Sequence, residues 1–168
     1  MIVGTGDIAK VLKDNANHTY FASGVSNSLE TNPILFNRER DLLMNTHTNN
    51  TLVYFSTLSI YSKKSPYTKH KLAMEELIKK RFPNYIILRL GNITWGKNPN
   101  TFINYFKRRL RCKQSIKCTK DIKYILTKRQ FLLHISMLPL KGKHVINVMG
   151  TPMTPKQVLN ILKDGLHI

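Results

Sequence analysis

Acidic side chains are scarce in this 168-residue chain: nine Asp and Glu stand against 27 Lys and Arg. Cysteine is scarcer, with only Cys112 and Cys118, in the run CKQSIKC. Two thiols at that spacing, with no histidine cluster nearby, argue against a disulfide framework or a zinc site and predict reduced thiols in a cytoplasmic protein. No run approaches the roughly 18 to 20 apolar residues that span a bilayer, so no membrane partner is expected. The opening MIVGTGDIAK passes directly from an apolar strand to a glycine turn, unlike a secretory leader. Neither repeats nor a low-complexity linker divides the chain. With 42% hydrophobic residues it has enough for one core and is short for two, so a single domain over 1–168 is expected.

The charge is unevenly spread. Residues 1–60 carry four basic and five acidic side chains; residues 61–168 carry the other 23 and four. From Lys107 to Arg129 there are ten basic residues and one acid, Asp121. Such a segment suits a solvated face, the phosphates of a ligand, or nucleic acid. Aromatic residues are thinly interleaved and no nucleic-acid motif is present, so nucleic acid is the least favoured of the three.

Apolar runs alternate with helical periodicity. Met1–Val3, His18–Ala22, Thr51–Ser56 and Tyr85–Leu90 read as buried strands. Asp7–Lys13, Pro33–Met44 and Pro66–Phe82 read as helices, with Pro33 in a first turn where its missing N–H does no harm. That alternation predicts an α/β fold with a Rossmann-like parallel sheet flanked by helices. After Leu90 the pattern loosens. Thr101–Arg111 is predicted as a helix with Phe102, Ile103, Phe106 and Leu110 inward. Val145–Val148 reads as a strand, and Thr154–Leu162 as a helix capped by Thr154.

Two places carry chemistry. Gly4-Thr5-Gly6-Asp7-Ile8-Ala9 is a GxGxxA pattern between a strand and a helix. There glycines let the backbone turn tightly and approach a pyrophosphate, which helix N–H groups hold. An ordinary tight turn is the alternative. The second place joins the strand end Phe55-Ser56-Thr57-Leu58-Ser59-Ile60-Tyr61 to Tyr67-Thr68-Lys69-His70-Lys71. The i, i+4 spacing puts Tyr67 and Lys71 on one helix face. A free phenol titrates at about 10; a nearby ammonium favours the phenolate and would make Tyr67 a workable acid or base. Thr57 is placed to hydrogen-bond a reacting carbonyl or hydroxyl. An exposed helix with an ordinary Tyr and Lys is the alternative.

The run VYFSTLSIY…SPYTKHKLAMEELI…YIILRLGNITWG resembles the catalytic core of extended short-chain dehydrogenase/reductases, the NAD-dependent epimerase/dehydratase group. The resemblance implies Thr57, Tyr67 and Lys71 as catalytic residues, with Lys71 also binding the nicotinamide ribose. It implies Gly4, Thr5, Gly6, Asp7, Ile8, Ala22, Ser23 and Gly24 along an NAD or NADP cofactor. Ser59, Asn92, Arg108 and Arg109 are then expected on the substrate. The implied fold is a shortened Rossmann-like domain, with a cofactor and catalytic core over about 1–96 and a small substrate-side portion over about 97–168. The implied activity is epimerisation, reduction or dehydration of a nucleotide-activated sugar in polysaccharide synthesis, with nicotinamide hydride transfer. A homodimer is compatible with it.

The sequence also departs from that pattern. An acid is expected about 20 residues after the glycine turn, to hold the adenosine ribose; here that region is Gly24 to Ser28. Tyr124–Phe131 is basic where the group commonly has an acidic stretch. A catalytically degenerate binding or partner protein is therefore the rival expectation. The six histidines show no metal-ligand spacing, no metal site is expected, and His70 is expected to face solvent.

Overall fold

Strand β3 (Thr51–Thr57) is buried along almost its whole length, which requires cover on both of its faces. In this computed structural model, which describes residues 1–164, β3 is the middle of a five-stranded parallel sheet. The strands run in the order β1 (Ile2–Val3), β2 (His18–Phe21), β3, β4 (Tyr85–Leu90), β7 (Lys143–Val148). Register is set by pairs such as Phe21 with Tyr54 and Tyr54 with Ile87. Side chains alternate between faces along each strand, and the core divides accordingly. Leu52, Tyr54, Tyr85 and Ile87 pack with Leu43, Met74 and Ile78 from helices α1 (Pro33–Met44) and α2 (Pro66–Arg81). Val53, Phe55, Ile86 and Leu88 pack with Phe131 from α4 (Lys128–Ser136) and with Leu12.

The α/β class and the parallel sheet agree with the sequence pattern, and α1 and β4 have the predicted bounds. Helix α1 starts where the Asn32 side chain accepts from the Ile34 N–H and Pro33 opens the first turn. Helix α2 starts on a capping box between Ser65 and Thr68. The helix predicted over Asp7–Lys13 is instead a single 3-10 turn, Ala9–Val11. The connection from β1 to the adjacent parallel β2, residues 4–17, holds this one short turn and no α-helix. Leu12 has already returned to an extended conformation.

Beyond β4 the chain leaves the main sheet at Gly91. A Cβ there would lie 2.4 Å from the Met149 carbonyl oxygen and 2.6 Å from that of Tyr124, so only glycine fits the crossing. A second, three-stranded sheet follows, in the order β5 (Asn92–Ile93), β6 (Lys123–Leu126), β8 (Thr151–Met153). It packs with α3 (Phe102–Arg111) and α5 (Pro155–Lys163) around Ile103, Phe106, Ile125 and Val158. The sequence showed α3, β7 and α5 to within a few residues, but not β5, β6, α4 or β8.

Candidate active site

The carboxyl end of β3 delivers Thr57 and then a 3-10 turn, Leu58–Tyr61. The Thr57 side chain caps that turn by accepting from the Ser59 N–H at 3.1 Å. Helix α2 enters beside it. Tyr67 lies in its first turn and Lys71 one turn later, with the ammonium 5.9 Å from the Tyr67 ring centre. Thr57, Tyr67 and Lys71 thus line one cleft of about 1010 Å³.

The cleft also gathers Gly6, Asp7 and Ile8 from the glycine turn and Ala22 and Gly24 from the end of β2. Its lining also includes Ser59, Asn92 and Arg108. The structure does not bring the other selected residues there. Gly4 has φ +126°, and a Cβ on it would lie 2.5 Å from the Ala22 carbonyl oxygen. Close strand packing therefore accounts for Gly4. Thr5 stays outside the cleft lining, and the Ser23 carbonyl accepts from Arg38. Arg109 is turned to the Ser115 carbonyl, with its Nε donating at 3.1 Å. Gly6 differs: an added Cβ would meet only the Ala22 oxygen, at 4.0 Å, which leaves the backbone approachable from the cleft.

Behind the cleft lies a buried polar cluster that sequence reasoning missed. Glu39, on α1, is fully buried. It accepts from Lys71 Nζ at 3.0 Å, from the Tyr54 hydroxyl at 2.6 Å, from the Val25 N–H at 2.6 Å, and bonds His70 Nε2 at 2.9 Å. Lys71 also donates to Tyr54 at 3.0 Å and is 2% exposed. An ammonium has three protons to give; two are committed here, and one remains for the cleft. Gly24 closes over this pair, since a Cβ there would lie 2.6 Å from Lys71 Nζ. His70 is not turned to solvent as expected, because it stacks on Phe36 at 4.5 Å and bonds Glu39. The spacing Phe36, Glu39, Leu43 holds the signal: an acid on the inward stripe of a helix needs a buried partner.

The electrostatics follow from this burial. Desolvation pushes the Glu39 carboxyl up, but the Lys71 ammonium with the His70, Tyr54 and Val25 bonds holds it well below the usual carboxylate range. For Tyr67 the balance reverses. Burial raises the phenol and is the largest effect; Lys71 pulls it down, Glu39 pushes it up, and the Thr57 hydroxyl bond favours ionisation. The net direction is upward, against the sequence expectation of a lowered phenol, because desolvation of the ring outweighs the lysine charge, which Glu39 partly offsets. The Tyr67 phenol is protonated at neutral pH.

A second buried carboxylate ties the end of β3 to the same helix α2. Glu75 accepts from Ser56 at 2.7 Å and from Arg89 at 2.6 and 3.1 Å. Arg89 also donates to the Tyr61 hydroxyl, which bonds Asn147 at 3.2 Å. Asp7 is likewise engaged: its carboxylate accepts from the N–H groups of Lys97 and Asn98 at 3.1 and 2.9 Å. Among the described residues no group of three His, Cys, Asp or Glu side chains is placed to hold a metal, and no helix is long and apolar enough to cross a membrane.

The residues present fit one end of a nicotinamide dinucleotide. Tyr67, Thr57 and Lys71 line the same cleft as the open backbone at Gly6. The adenosine end lacks its usual supports: β1 is the edge of the sheet, and the segment after β2 supplies no acid to hold a ribose.

No protein-family model and no curated protein matches the sequence. Solved structures do. WbmG of Bordetella bronchiseptica, in complex with NAD and UDP, matches with TM-score 0.65 at 18% identity, over 89% of this chain and 56% of that one. WbmH of the same organism, in complex with NAD+, matches with TM-score 0.71 at 14% identity, over 88% and 57%. The UDP-glucose 4-epimerase of Thermotoga maritima, with UDP-glucose, matches with TM-score 0.65 at 14% identity, over 88% and 60%. The chain spans little more than half the length of these structures, and the likeness establishes a shared Rossmann-like fold.

Proposed function

We propose that this chain is an NAD(P)-dependent oxidoreductase or epimerase acting on a nucleotide-activated sugar in the cytoplasm. The convergence of Thr57, Tyr67 and Lys71 on one cleft with Gly6 carries the proposal. The known ligands of the structurally similar proteins, NAD, UDP and UDP-glucose, support it.

A bound nicotinamide supplies or accepts the hydride. The chain's own residues handle the proton. The Tyr67 phenol, raised by burial, is protonated at neutral pH and donates to a sugar oxygen as negative charge develops on it. Thr57, which lines the same cleft, orients the same oxygen. Lys71, anchored by Glu39, keeps a positive charge near the phenolate that results. Lys63, Arg108 and Lys123 along the outer wall supply charge for a diphosphate, Arg108 by paired hydrogen bonds, with Ser59 and Asn92 offering polar contacts to the sugar. A donor phenol suits the reduction of a keto-sugar and the second half of an epimerisation. A homodimer and the single-domain reading of 1–168 belong to the same proposal.

Titration with NADH and NADPH, following nicotinamide fluorescence, tests cofactor binding. Tyr67→Phe is expected to abolish turnover of a UDP-sugar while leaving NADH affinity within about threefold, since the hydroxyl acts on substrate. Turnover that survives the substitution removes Tyr67 from the chemistry. A second reading, a binding or partner protein without turnover, is favoured by the compensated Lys71 charge and the bare adenosine end; binding of UDP with no nicotinamide binding would establish it.

A further inference from the structure

We propose that the cleft recognises the nicotinamide mononucleotide part of a dinucleotide alone, and that the adenosine half contributes no affinity. This rests on the nicotinamide reading above and deepens it. The strand order carries it. Doubly wound sheets bind dinucleotides where the order of strands reverses, because the connections then leave on opposite faces and open a crevice with a wall on each side. Here the order β1-β2-β3-β4-β7 follows the chain without a reversal, and β1, two residues long, is the edge. Among the described residues no strand lies beyond it, so they offer a second nucleoside laid past Gly6 no wall on its outer side.

The side chains repeat the message. An adenosine ribose is ordinarily held by a free carboxylate on its hydroxyls. Each carboxylate adjoining this path already accepts from the chain's own groups. Asp7 caps the Lys97 and Asn98 N–H groups. Glu30 accepts from the Thr31 and Asn32 N–H groups at 3.0 and 2.9 Å. Glu39 is fully buried beneath Gly24 with four partners. The turn after β1 also leads into one 3-10 turn rather than an α-helix. It therefore lacks the aligned peptide dipoles that favour a pyrophosphate at a helix N-terminus. The other end of the cleft, with Thr57, Tyr67, Lys71 and Gly6, keeps its contacts for one nucleotide.

The test compares NADH with reduced nicotinamide mononucleotide on the whole chain at physiological salt, following nicotinamide fluorescence, with AMP as competitor. The two dissociation constants are expected to agree within about fivefold, equivalent to less than a tenfold step in affinity, with AMP displacing neither at millimolar concentration. NADH binding more than fivefold tighter than the mononucleotide, or displacement by AMP, overturns the inference and leaves the proposed function standing. Binding of neither reduced nucleotide overturns both.

Discussion

Replacing Glu39 by Leu leaves the Lys71 ammonium buried at 2% exposure without its counter-charge, and strips the Tyr54 hydroxyl, His70 and the Val25 N–H of their acceptor. Breaking a buried ion pair from one side costs about 3–5 kcal/mol, because the orphaned charge keeps its full desolvation penalty. Total stabilities run to about 5–15 kcal/mol, so the variant is expected to be severely destabilised. For a chain of this size each kcal/mol moves the midpoint by roughly 2–4 °C, placing the fall in Tm at about 6–20 °C. Circular dichroism melts, with urea titration for ΔG, measure it. The decisive comparison is the double variant Glu39→Leu, Lys71→Met, in which neither charge is stranded; it is expected to be more stable than Glu39→Leu alone. Losses that simply add, or a Glu39→Leu variant within about 1 kcal/mol of the parent, would refute the account of the cluster. The pH dependence has a definite sign. The Glu39 pKa is depressed in the folded protein, so its contribution is complete above the ordinary carboxylate range and is lost as pH falls through the folded value below it. Stability should decline in acid for the parent and less steeply for the double variant.

Three other expectations concern the tyrosines and the glycines. Of the seven tyrosines, Tyr20, Tyr54 and Tyr67 are raised chiefly by burial; their stabilising contribution persists below about pH 10 and is lost as pH rises through their folded values. Ultraviolet titration should therefore show three phenols ionising late, together with loss of structure, and a single seven-phenol transition in an intact fold would contradict it. Gly91→Ala sets a methyl group against the Met149 and Tyr124 carbonyl oxygens at 2.4 and 2.6 Å. It is expected to destabilise by roughly 1–3 kcal/mol in urea titration. Gly4→Ala, at φ +126° and 2.5 Å from the Ala22 oxygen, should lose at least as much, and an unchanged melting temperature in either would show that the two strand crossings relax freely.

Range of interaction separates the legible elements from the others. Helix α1 and strand β4 were legible to the residue because their causes are local: a cap and a proline at Asn32-Pro33, and an apolar run at Tyr85–Leu90 interrupted only by Arg89. The i, i+4 pair Tyr67 and Lys71 was legible for the same reason, since helical geometry fixes that spacing wherever the helix lies. Strands β5 and β8, of two and three residues, have no pattern of their own and exist through pairing with β6. Helix α4 did have a local signal, Thr127 and Gln130 as a capping box, which the charges of Lys128 and Arg129 obscured.

From the sequence alone came the α/β class, the parallel sheet, and the chemical identity of a threonine, a tyrosine and a lysine near one strand end. Tertiary structure decided what those groups are worth. Glu39 reaches Lys71 across 32 positions of sequence, and with burial it turns the Tyr67 phenol from a lowered expectation to a raised value. It also decided that β1 is an edge and that Asp7 caps a distant loop. Periodicity and capping act within a few residues, whereas desolvation and charge pairing depend on which segments the folded chain lays side by side.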